Sequence, residues 1–256
     1  MYDQRRVEEL LARWENDPHD AEMRKVRNEV FDVLTLRTLY KFMESGVFSR
    51  LLRVISTGKE ANVFLASDPA GNPLAVKIYR VETSEFRRVL PYIDGDPRFG
   101  RIPKDRRRLI YLWTKKEYKN LDTAFRAGAP VPYPVASRNN VLVMEFIGED
   151  GVPAPRLRDY YPDDPERFVD ALLDGLAAFY FRAGLVHADL SEYNILVRGS
   201  DPIIIDLGQA VPFDHPNAPF FLKRDLQQLS KILAEFDKDF GPQELYRMLK
   251  ERSGNG

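Results

Sequence analysis

Apolar residues recur every three or four positions over residues 3 to about 45, which is the spacing of amphipathic helices. Asp17 and Pro18 divide this region into two apolar stretches, because proline interrupts a helix. The helical period ends at Gly46. The pattern therefore predicts N-terminal helices over residues 1–50 that pack on the remainder of the chain.

From Arg53 onward the pattern changes to short apolar runs separated by turn residues, which indicates β-strands. The runs follow one another closely enough to form hairpins, so we predict an antiparallel sheet. Residues 81–103 have no sustained period and predict a mobile loop, and a helix follows over 105–127. The predicted strands lie at 54–55, 61–66, 74–79, 134–136 and 141–146.

The second half of the chain is predicted to be mainly helical. Residues 148–155 have the composition of a linker, and we place a domain boundary near Gly148. The predicted elements that follow are a helix over 165–183, strands at 195–197 and 203–206, and helices over 220–235 and 242–251. These elements predict an α+β fold with N-terminal helices (1–50), a sheet-containing lobe (51–147) and a helical lobe (148–256).

The composition is that of an ordinary globular protein, with 44% apolar and 30% charged residues and a net charge of −1. The absence of cysteine excludes disulfides, thiolate metal sites and a cysteine nucleophile. No apolar run approaches the roughly 20 residues that span a bilayer, and the first residues do not resemble a signal peptide. We expect a cytoplasmic protein without a membrane partner.

Positive charge is concentrated between Arg98 and Arg126, where ten Lys or Arg residues stand against three acidic residues. Such a basic region could bind phosphates or RNA. A solvated helix face beside a basic loop would have the same composition. The sequence alone leaves both interpretations open.

Lys77 lies within an otherwise apolar strand, on the same face as Ala75 and Tyr79 if the side chains alternate. A lysine in this position requires an anion or access to water. In the helix over 105–127, Glu117 falls on the apolar stripe, where an unpaired carboxylate would be costly. We therefore predict that Lys77 binds nucleotide phosphates and pairs with Glu117.

The strongest local signal is the octapeptide His-Ala-Asp-Leu-Ser-Glu-Tyr-Asn at 187–194, followed by Asp-Leu-Gly at 206–208. Phosphoryl transfer requires a carboxylate that accepts the proton of the attacking hydroxyl and oxygen ligands for magnesium. Asp189 suits the first role, and Asn194 with Asp206 suits the second. Each could also be an ordinary turn or capping residue, but the ordered set with Lys77 favours catalysis.

This ordered set resembles the protein-kinase superfamily, with its H-R-D-x4-N and D-F-G motifs. The phosphate loop has a single glycine, Ala188 replaces the usual arginine, and the region after Gly208 is too short for an activation segment and peptide-binding helices. These departures resemble the RIO family of atypical serine kinases, and particularly its first subfamily in its archaeal form. The motifs that carry the resemblance are Ser-Thr-Gly-Lys-Glu-Ala-Asn-Val at 56–63, Ala-Val-Lys-Ile-Tyr-Arg at 75–80, Met-Glu-Phe-Ile-Gly at 144–148, the segment 185–196, and Asp-Leu-Gly-Gln-Ala at 206–210.

The resemblance implies a two-lobed kinase fold, ATP and Mg²⁺ (or Mn²⁺) as ligands, and catalytic roles for Lys77, Asp189 and Asp206. It places the metal at Asn194 and Asp206 and the adenine at the main chain of Glu145 and Ile147. The remaining ATP-binding residues that it implies are Ser56, Thr57, Gly58, Lys59, Glu60, Ala61, Val63, Ala75, Glu117 and Met144.

The resemblance also implies autophosphorylation, with Thr83 or Ser84 as a candidate site in a flexible insertion over 81–108. It implies a role in maturing the small ribosomal subunit, and ribosomal RNA or a precursor particle as the partner of the basic region 98–126. A phosphorylated aspartate at Asp206 would instead make turnover resemble that of an ATPase. The alternatives are therefore an ATP-driven conformational switch and a small-molecule phosphotransferase.

Overall fold

The computed structural model describes residues 31–81 and 89–254. The helices predicted up to residue 30 and the candidate phosphosites Thr83 and Ser84 lie outside the described residues. Two compact units are present, each assembled from three segments of the chain. Of the described residues, the first contains 31–81, 103–115 and 135–146, and the second contains 89–102, 116–134 and 147–254.

The elements follow the predicted order of strands and helices. In the described part of the chain the helices are α1 (Val33–Glu44), α2 (Leu90–Ile93), α3 (Arg106–Arg126), α4 (Pro165–Ala177, continued by a π-helical turn over Ala178–Arg182), α5 (Ala218–Ala234) and α6 (Pro242–Ser253). The strands are β1 (Arg50–Thr57), β2 (Ala61–Ser67), β3 (Pro73–Tyr79), β4 (Pro134–Arg138), β5 (Val141–Glu145), β6 (Gly148–Glu149), β7 (Val152–Pro153), β8 (Leu185–Val186), β9 (Ile195–Arg198), β10 (Asp201–Ile204) and β11 (Val211–Pro212).

A five-stranded sheet in the order β1-β2-β3-β5-β4 forms the first unit. The pairs β1–β2, β2–β3 and β3–β5 are antiparallel, which confirms the predicted hairpin-built sheet. One face of the sheet packs on α1, whose N-cap Asp32 accepts a hydrogen bond of 2.7 Å from the Thr35 N–H. The buried apolar residues on this side are Leu39, Phe42, Phe48, Leu51, Phe64, Ala66, Val76, Ile78, Val141 and Val143.

The helix α4 anchors the second unit through a fully buried face. Asp164 caps its first turn by accepting a 3.1 Å hydrogen bond from the Arg167 N–H, and Pro165 stands at its first position, where a missing N–H costs nothing. Phe168, Leu172 and Leu176 have no exposed surface. This spacing of four residues places the three side chains on one face of the helix.

Several short elements were not predicted. Residues 148–155 are not a linker throughout, since β6 and β7 pair there as a hairpin. The strands β8 and β11 form a second two-residue pair, and the loop predicted over 81–103 contains α2, with Ile93 buried. Two-residue strands and a single helical turn are too short for a hydrophobic period to reveal. None of the described helices is long and apolar enough to cross a membrane.

Candidate active site

The strand register brings the predicted nucleotide-binding side chains to one face of the sheet. Lys77 lies opposite Val63 on β2 and Leu142 on β5, and Ala75 lies opposite Met144. Directly opposed residues of antiparallel strands project to the same face, and this face is the reverse of the one that packs on α1. Val63, Ala75, Lys77 and Met144 therefore form one surface, as predicted for a base and its phosphates.

Lys77 itself is 92% buried, with 8% of its surface exposed. Its Nζ lies 5.1 Å from the centre of the Tyr79 ring, two residues along the same strand. A cation over an aromatic face gains only about 0.5–2 kcal/mol.

The loop between β1 and β2, where the sequence predicts phosphate binding, is a tight turn. The Gly58 N–H donates to the Ala61 carbonyl at 3.0 Å and to the Asn62 Oδ1 at 3.3 Å. A Cβ at Gly58 would lie 3.0 Å from the Ala61 carbonyl oxygen, so the tight turn favours glycine. Ser56, Thr57, Lys59 and Glu60 are carried on this turn and its flanking strands, as the sequence predicted.

The predicted adenine contacts occupy the chain where the first unit passes into the second. Glu145 is the last residue of β5 and pairs with Leu74. The carbonyl of Ile147 accepts a 3.0 Å hydrogen bond from the Ala154 N–H in the β6–β7 hairpin. The adenine contacts expected at Glu145 and Ile147 stay a prediction.

Glu117 is buried in α3, with 1% of its surface exposed, as its position on the apolar stripe predicted. Its neighbours on that stripe, Trp113 and Leu121, are equally buried. The expected pair of Glu117 with Lys77 stays a prediction.

Asp189 stands in a hydrogen-bonded loop between β8 and β9. The Asn194 Nδ2 donates to the Asp189 carbonyl at 2.9 Å and to its Oδ2 at 3.3 Å. The Gln209 Nε2 donates to the same Oδ2 at 3.1 Å. These bonds fix the carboxylate from two sides and leave Oδ1 as the oxygen that can accept a proton.

Asn194 and Asp206 lie beside one another because of the β9–β10 hairpin. Ile195 and Ile204 are partners in its ladder, and the Ile205 N–H donates to the Asn194 carbonyl at 2.9 Å. Since the Asn194 amide nitrogen is used by Asp189, its Oδ1 is the atom left for a cation. An amide oxygen and the Asp206 carboxylate are the ligand types that Mg²⁺ prefers.

The described residues contain no cluster of three or more His, Cys, Asp or Glu suited to a metal ion. A cation at Asn194 and Asp206 would therefore complete its shell with phosphate oxygens and water, as is usual for Mg²⁺ on a nucleotide. The donor set fits a nucleotide-bound cation better than a protein-held one.

Burial and neighbouring charges shift the pKa of the Asp189 carboxyl. Burial raises the pKa of Asp189, and the neighbouring Asp206 carboxylate raises it further. His187, Arg224 and the Asn194 amide act in the opposite direction. A raised pKa makes a carboxylate a more effective proton acceptor, because its pKa then lies closer to the pH at which it works.

Asp225 of α5 is a functional residue that the sequence analysis missed. It has no exposed surface, and it accepts hydrogen bonds from the N–H groups of Ala188 (2.9 Å) and Leu190 (3.3 Å). Arg224 donates to the Ala188 carbonyl. These contacts hold Ala188 at φ +65°, which is uncommon for a residue with a side chain. The signal available in the sequence was the adjacent charged pair of Arg224 and Asp225 inside the helix predicted over 220–235.

The basic region predicted over 98–126 is partly used within the chain. Lys116 is fully buried and binds main-chain carbonyls, Arg107 pairs with Asp32 at 2.6 Å, and Arg126 pairs with Asp122. Burial lowers the pKa of Lys116 well below its usual value, Arg98 lowers it further, and Asp96 opposes the shift. Exposed cations of the first unit remain at Lys104, Arg108 and Lys115.

Comparison with known proteins identifies similar chains. The RIO domain model matches residues 62–246. The chain is 40% identical over 235 residues to the RIO-type serine/threonine-protein kinase Rio1 of Haloferax volcanii, covering 92% of this chain and 81% of the relative. The Rio1 protein of Methanocaldococcus jannaschii is 38% identical over 227 residues, covering 88% of this chain and 77% of that protein.

A solved structure has a similar fold. It is the Rio2 kinase from Chaetomium thermophilum in an ADP/Mg²⁺-phosphoaspartate complex, with a TM-score of 0.63 and 26% identity. The match covers 89% of this chain and 68% of that one.

Proposed function

This chain belongs to the RIO family, as a serine/threonine protein kinase of its Rio1 subfamily, and on that premise we propose that it uses ATP and a divalent cation to phosphorylate serine or threonine hydroxyls. The proposal assigns proton acceptance to Asp189, phosphate binding to Lys77, and cation binding to Asn194 and Asp206. Autophosphorylation is part of the proposal.

The assignment rests on one observation, the geometry around Asp189. Asn194 and Gln209 bind the Asp189 main chain or carboxylate at 2.9–3.3 Å. The carbonyl of the same Asn194 accepts a 2.9 Å hydrogen bond from the N–H of Ile205, which directly precedes Asp206. A proton acceptor and two oxygen ligands are thus linked by one hydrogen-bonded loop, which is the arrangement that phosphoryl transfer requires.

The chain's own residues account for most of the chemistry. Lys77 would bind the phosphates of ATP as a buried cation, and the Gly58 turn would cover them. Asn194 and Gln209 orient Asp189 so that its Oδ1 accepts the proton of the attacking hydroxyl. When bound, Mg²⁺ or Mn²⁺ at Asn194 and Asp206 supplies charge neutralisation on the phosphate oxygens.

The test of this function is phosphate transfer by an Asp189→Asn variant. Loss of the proton acceptor is expected to lower the transfer rate from labelled ATP by about 10²–10⁴-fold, while ATP binding is retained because Asp189 is not a phosphate-binding residue. Undiminished transfer by the folded variant would refute the role of Asp189. The matched control is Asp239→Asn, because Asp239 is an exposed carboxylate outside the proposed site.

A second candidate is an ATPase that switches conformation without a protein substrate. The observation that favours it is the phosphoaspartate in the related Rio2 kinase complex, because Asp206 could receive phosphate in the same way. Incubation with labelled ATP separates the two functions. Acid-stable phosphate on serine or threonine indicates the kinase, whereas a hydroxylamine-labile acyl phosphate and released phosphate indicate the ATPase.

We propose that the partner is ribosomal RNA or a precursor of the small ribosomal subunit. The support is the exposed positive charge at Lys104, Arg108 and Lys115 in the first unit, since such side chains bind RNA phosphates. A variant with all three changed to glutamate should lose RNA in a pull-down from native lysate and should keep its nucleotide affinity. Equal RNA recovery by the variant and the wild type would exclude this surface as the RNA-binding site.

A further inference from the structure

Lys116 of α3 is completely buried, although lysine is rarely so unless its ammonium group is bound. Its Nζ donates to the carbonyl oxygen of Gly208 at 2.9 Å and to that of Ala210. Both carbonyls belong to the loop that directly follows Asp206. A buried lysine of the second unit therefore binds main-chain oxygens of this loop.

Asn120 lies one helical turn beyond Lys116 and binds the same loop. Its Nδ2 donates to the carbonyl oxygens of Leu207 at 2.7 Å and Ala210 at 2.8 Å. Asn120 is also fully buried. Residues four apart on a helix project to the same side. One side of α3 therefore binds three of the four carbonyls of the loop 207–210.

A buried ion pair fixes the orientation of the Asn120 amide. Arg98 donates from Nη1 to the Asn120 Oδ1 at 2.7 Å. The same guanidinium donates from Nε (3.0 Å) and Nη2 (2.7 Å) to the carboxylate of Asp96, which is itself buried. Since the amide oxygen of Asn120 is bound to Arg98, its nitrogen must point to the loop.

The loop 207–210 directly follows Asp206, whose carboxylate must be oriented for the cation in the proposed function. Asp206 has φ +62°, and the loop closes on itself through the Ala210 N–H, which donates to the Leu207 carbonyl at 3.2 Å. Binding the carbonyls of 207, 208 and 210 holds the peptides of the loop that follows Asp206. These peptides restrain the main chain from which the Asp206 carboxylate projects.

We propose that Lys116 and Asn120 are positioning residues that preorganise the Asp206 carboxylate for the cation of the bound nucleotide. This inference rests on the proposed function, in which Asp206 is a cation ligand. Residues that orient a metal ligand commonly change metal affinity by 10–100-fold when they are altered. Neither residue touches the nucleotide or the reacting hydroxyl in this assignment.

The test compares Lys116→Met and Asn120→Leu with the wild type, using Lys231→Met as the control. Lys231 is an exposed lysine of α5, outside the proposed site. ADP affinity is measured with EDTA and again with Mg²⁺, and the ratio of the two dissociation constants gives the contribution of the cation. Hydrogen–deuterium exchange of residues 205–212 is followed in the protein without nucleotide.

We expect both variants to lose about tenfold or more of the Mg²⁺-dependent gain in affinity, with affinity in EDTA changed less than about twofold. Exchange of 205–212 should accelerate in both and stay unchanged in the control. A retained Mg²⁺-dependent gain in folded variants would overturn the inference, because a merely structural role predicts that result.

Arg98→Gln provides a second test if Lys116→Met and Asn120→Leu prevent folding. The Arg98 side chain is 23% exposed, so its replacement is milder, and it should give a smaller loss of the same kind. No loss in this folded variant would count against the inference. If the wild type itself gains no affinity from Mg²⁺, the proposed function fails, whereas a difference between variant and wild type bears on the positioning alone.

Discussion

The buried carboxylate of Asp225 accepts a 2.9 Å hydrogen bond from the main-chain N–H of Ala188. The two residues belong to different elements, and the bond ties α5 to the loop that carries Asp189. Because the Asp225 carboxylate also accepts from the Leu190 N–H, two buried donors on either side of Asp189 depend on one side chain. A buried donor left without its partner costs about 1–3 kcal/mol.

Asp225→Asn should therefore lower both stability and catalysis. The amide can accept only through one oxygen, so we expect the free energy of unfolding to fall by about 1–3 kcal/mol and the transfer rate to fall because Asp189 is less well placed. Urea unfolding and a kinase assay measure the two effects. Tyr180→Phe is the matched control, since the Tyr180 hydroxyl reaches Asp225 only at 3.4 Å and its loss should cost less than about 1 kcal/mol.

Lys77→Met is expected to weaken nucleotide binding. A buried cation on the strand face is the phosphate-binding group in the proposed function, and losing a charge-assisted contact of about 1.5–3 kcal/mol lowers affinity by at least about tenfold. Titration with ADP measures the dissociation constant. Arg50→Gln removes an exposed cation from β1 of the same sheet and should leave the dissociation constant unchanged. Equal affinity of Lys77→Met and the wild type would contradict the role.

Asp96→Asn should produce a pH-dependent loss of stability. Burial raises the pKa of Asp96, but the hydrogen bonds and charge of Arg98 lower it more, so its folded value is below the ordinary 3.8. A depressed carboxyl pKa stabilises the fold above the unfolded value, and this contribution disappears as the pH falls through the folded value. The variant should be less stable at pH 7 by about 1.5–3 kcal/mol, and the gap should narrow below about pH 4.

Urea unfolding between pH 7 and pH 3 measures this gap for Asp96→Asn. The exposed Asp239→Asn should differ from the wild type by less than about 0.5 kcal/mol at pH 7. A gap for Asp96→Asn that widened on acidification would contradict the assignment to the Arg98 pair.

Gly175→Ala should destabilise the second unit although alanine favours a helix by about 1 kcal/mol. A Cβ at Gly175 would lie 2.5 Å from Cγ and 2.6 Å from Cδ of Pro130, and overpacking of this kind costs about 1–3 kcal/mol. Thermal unfolding measures the change. In a Pro130→Ala background the penalty should vanish, since the clashing atoms are then absent. A penalty of the same size in both backgrounds would exclude this contact as its cause.

The sequence predicted the features that depend on neighbouring residues. Alternation along β3 placed Lys77 and Ala75 on one face, and the register confirms it. The spacing of α3 predicted that Glu117 is buried, and the strands predicted at 195–197 and 203–206 form the hairpin that brings Asn194 beside Asp206. These predictions succeeded because strand and helix periodicities are local properties of the chain.

The sequence by itself thus determined the order of the elements and the face on which Lys77 lies, and it predicted Asp189 and Asp206 as the catalytic carboxylates. Only the tertiary structure decided what holds those groups in place. Asp225 lies 37 residues from Ala188, and Lys116 lies 92 residues from Gly208. The bonds that fix the catalytic loops are made by buried polar side chains to main-chain groups, whose partners depend on how distant helices pack and leave no periodic signal in the sequence.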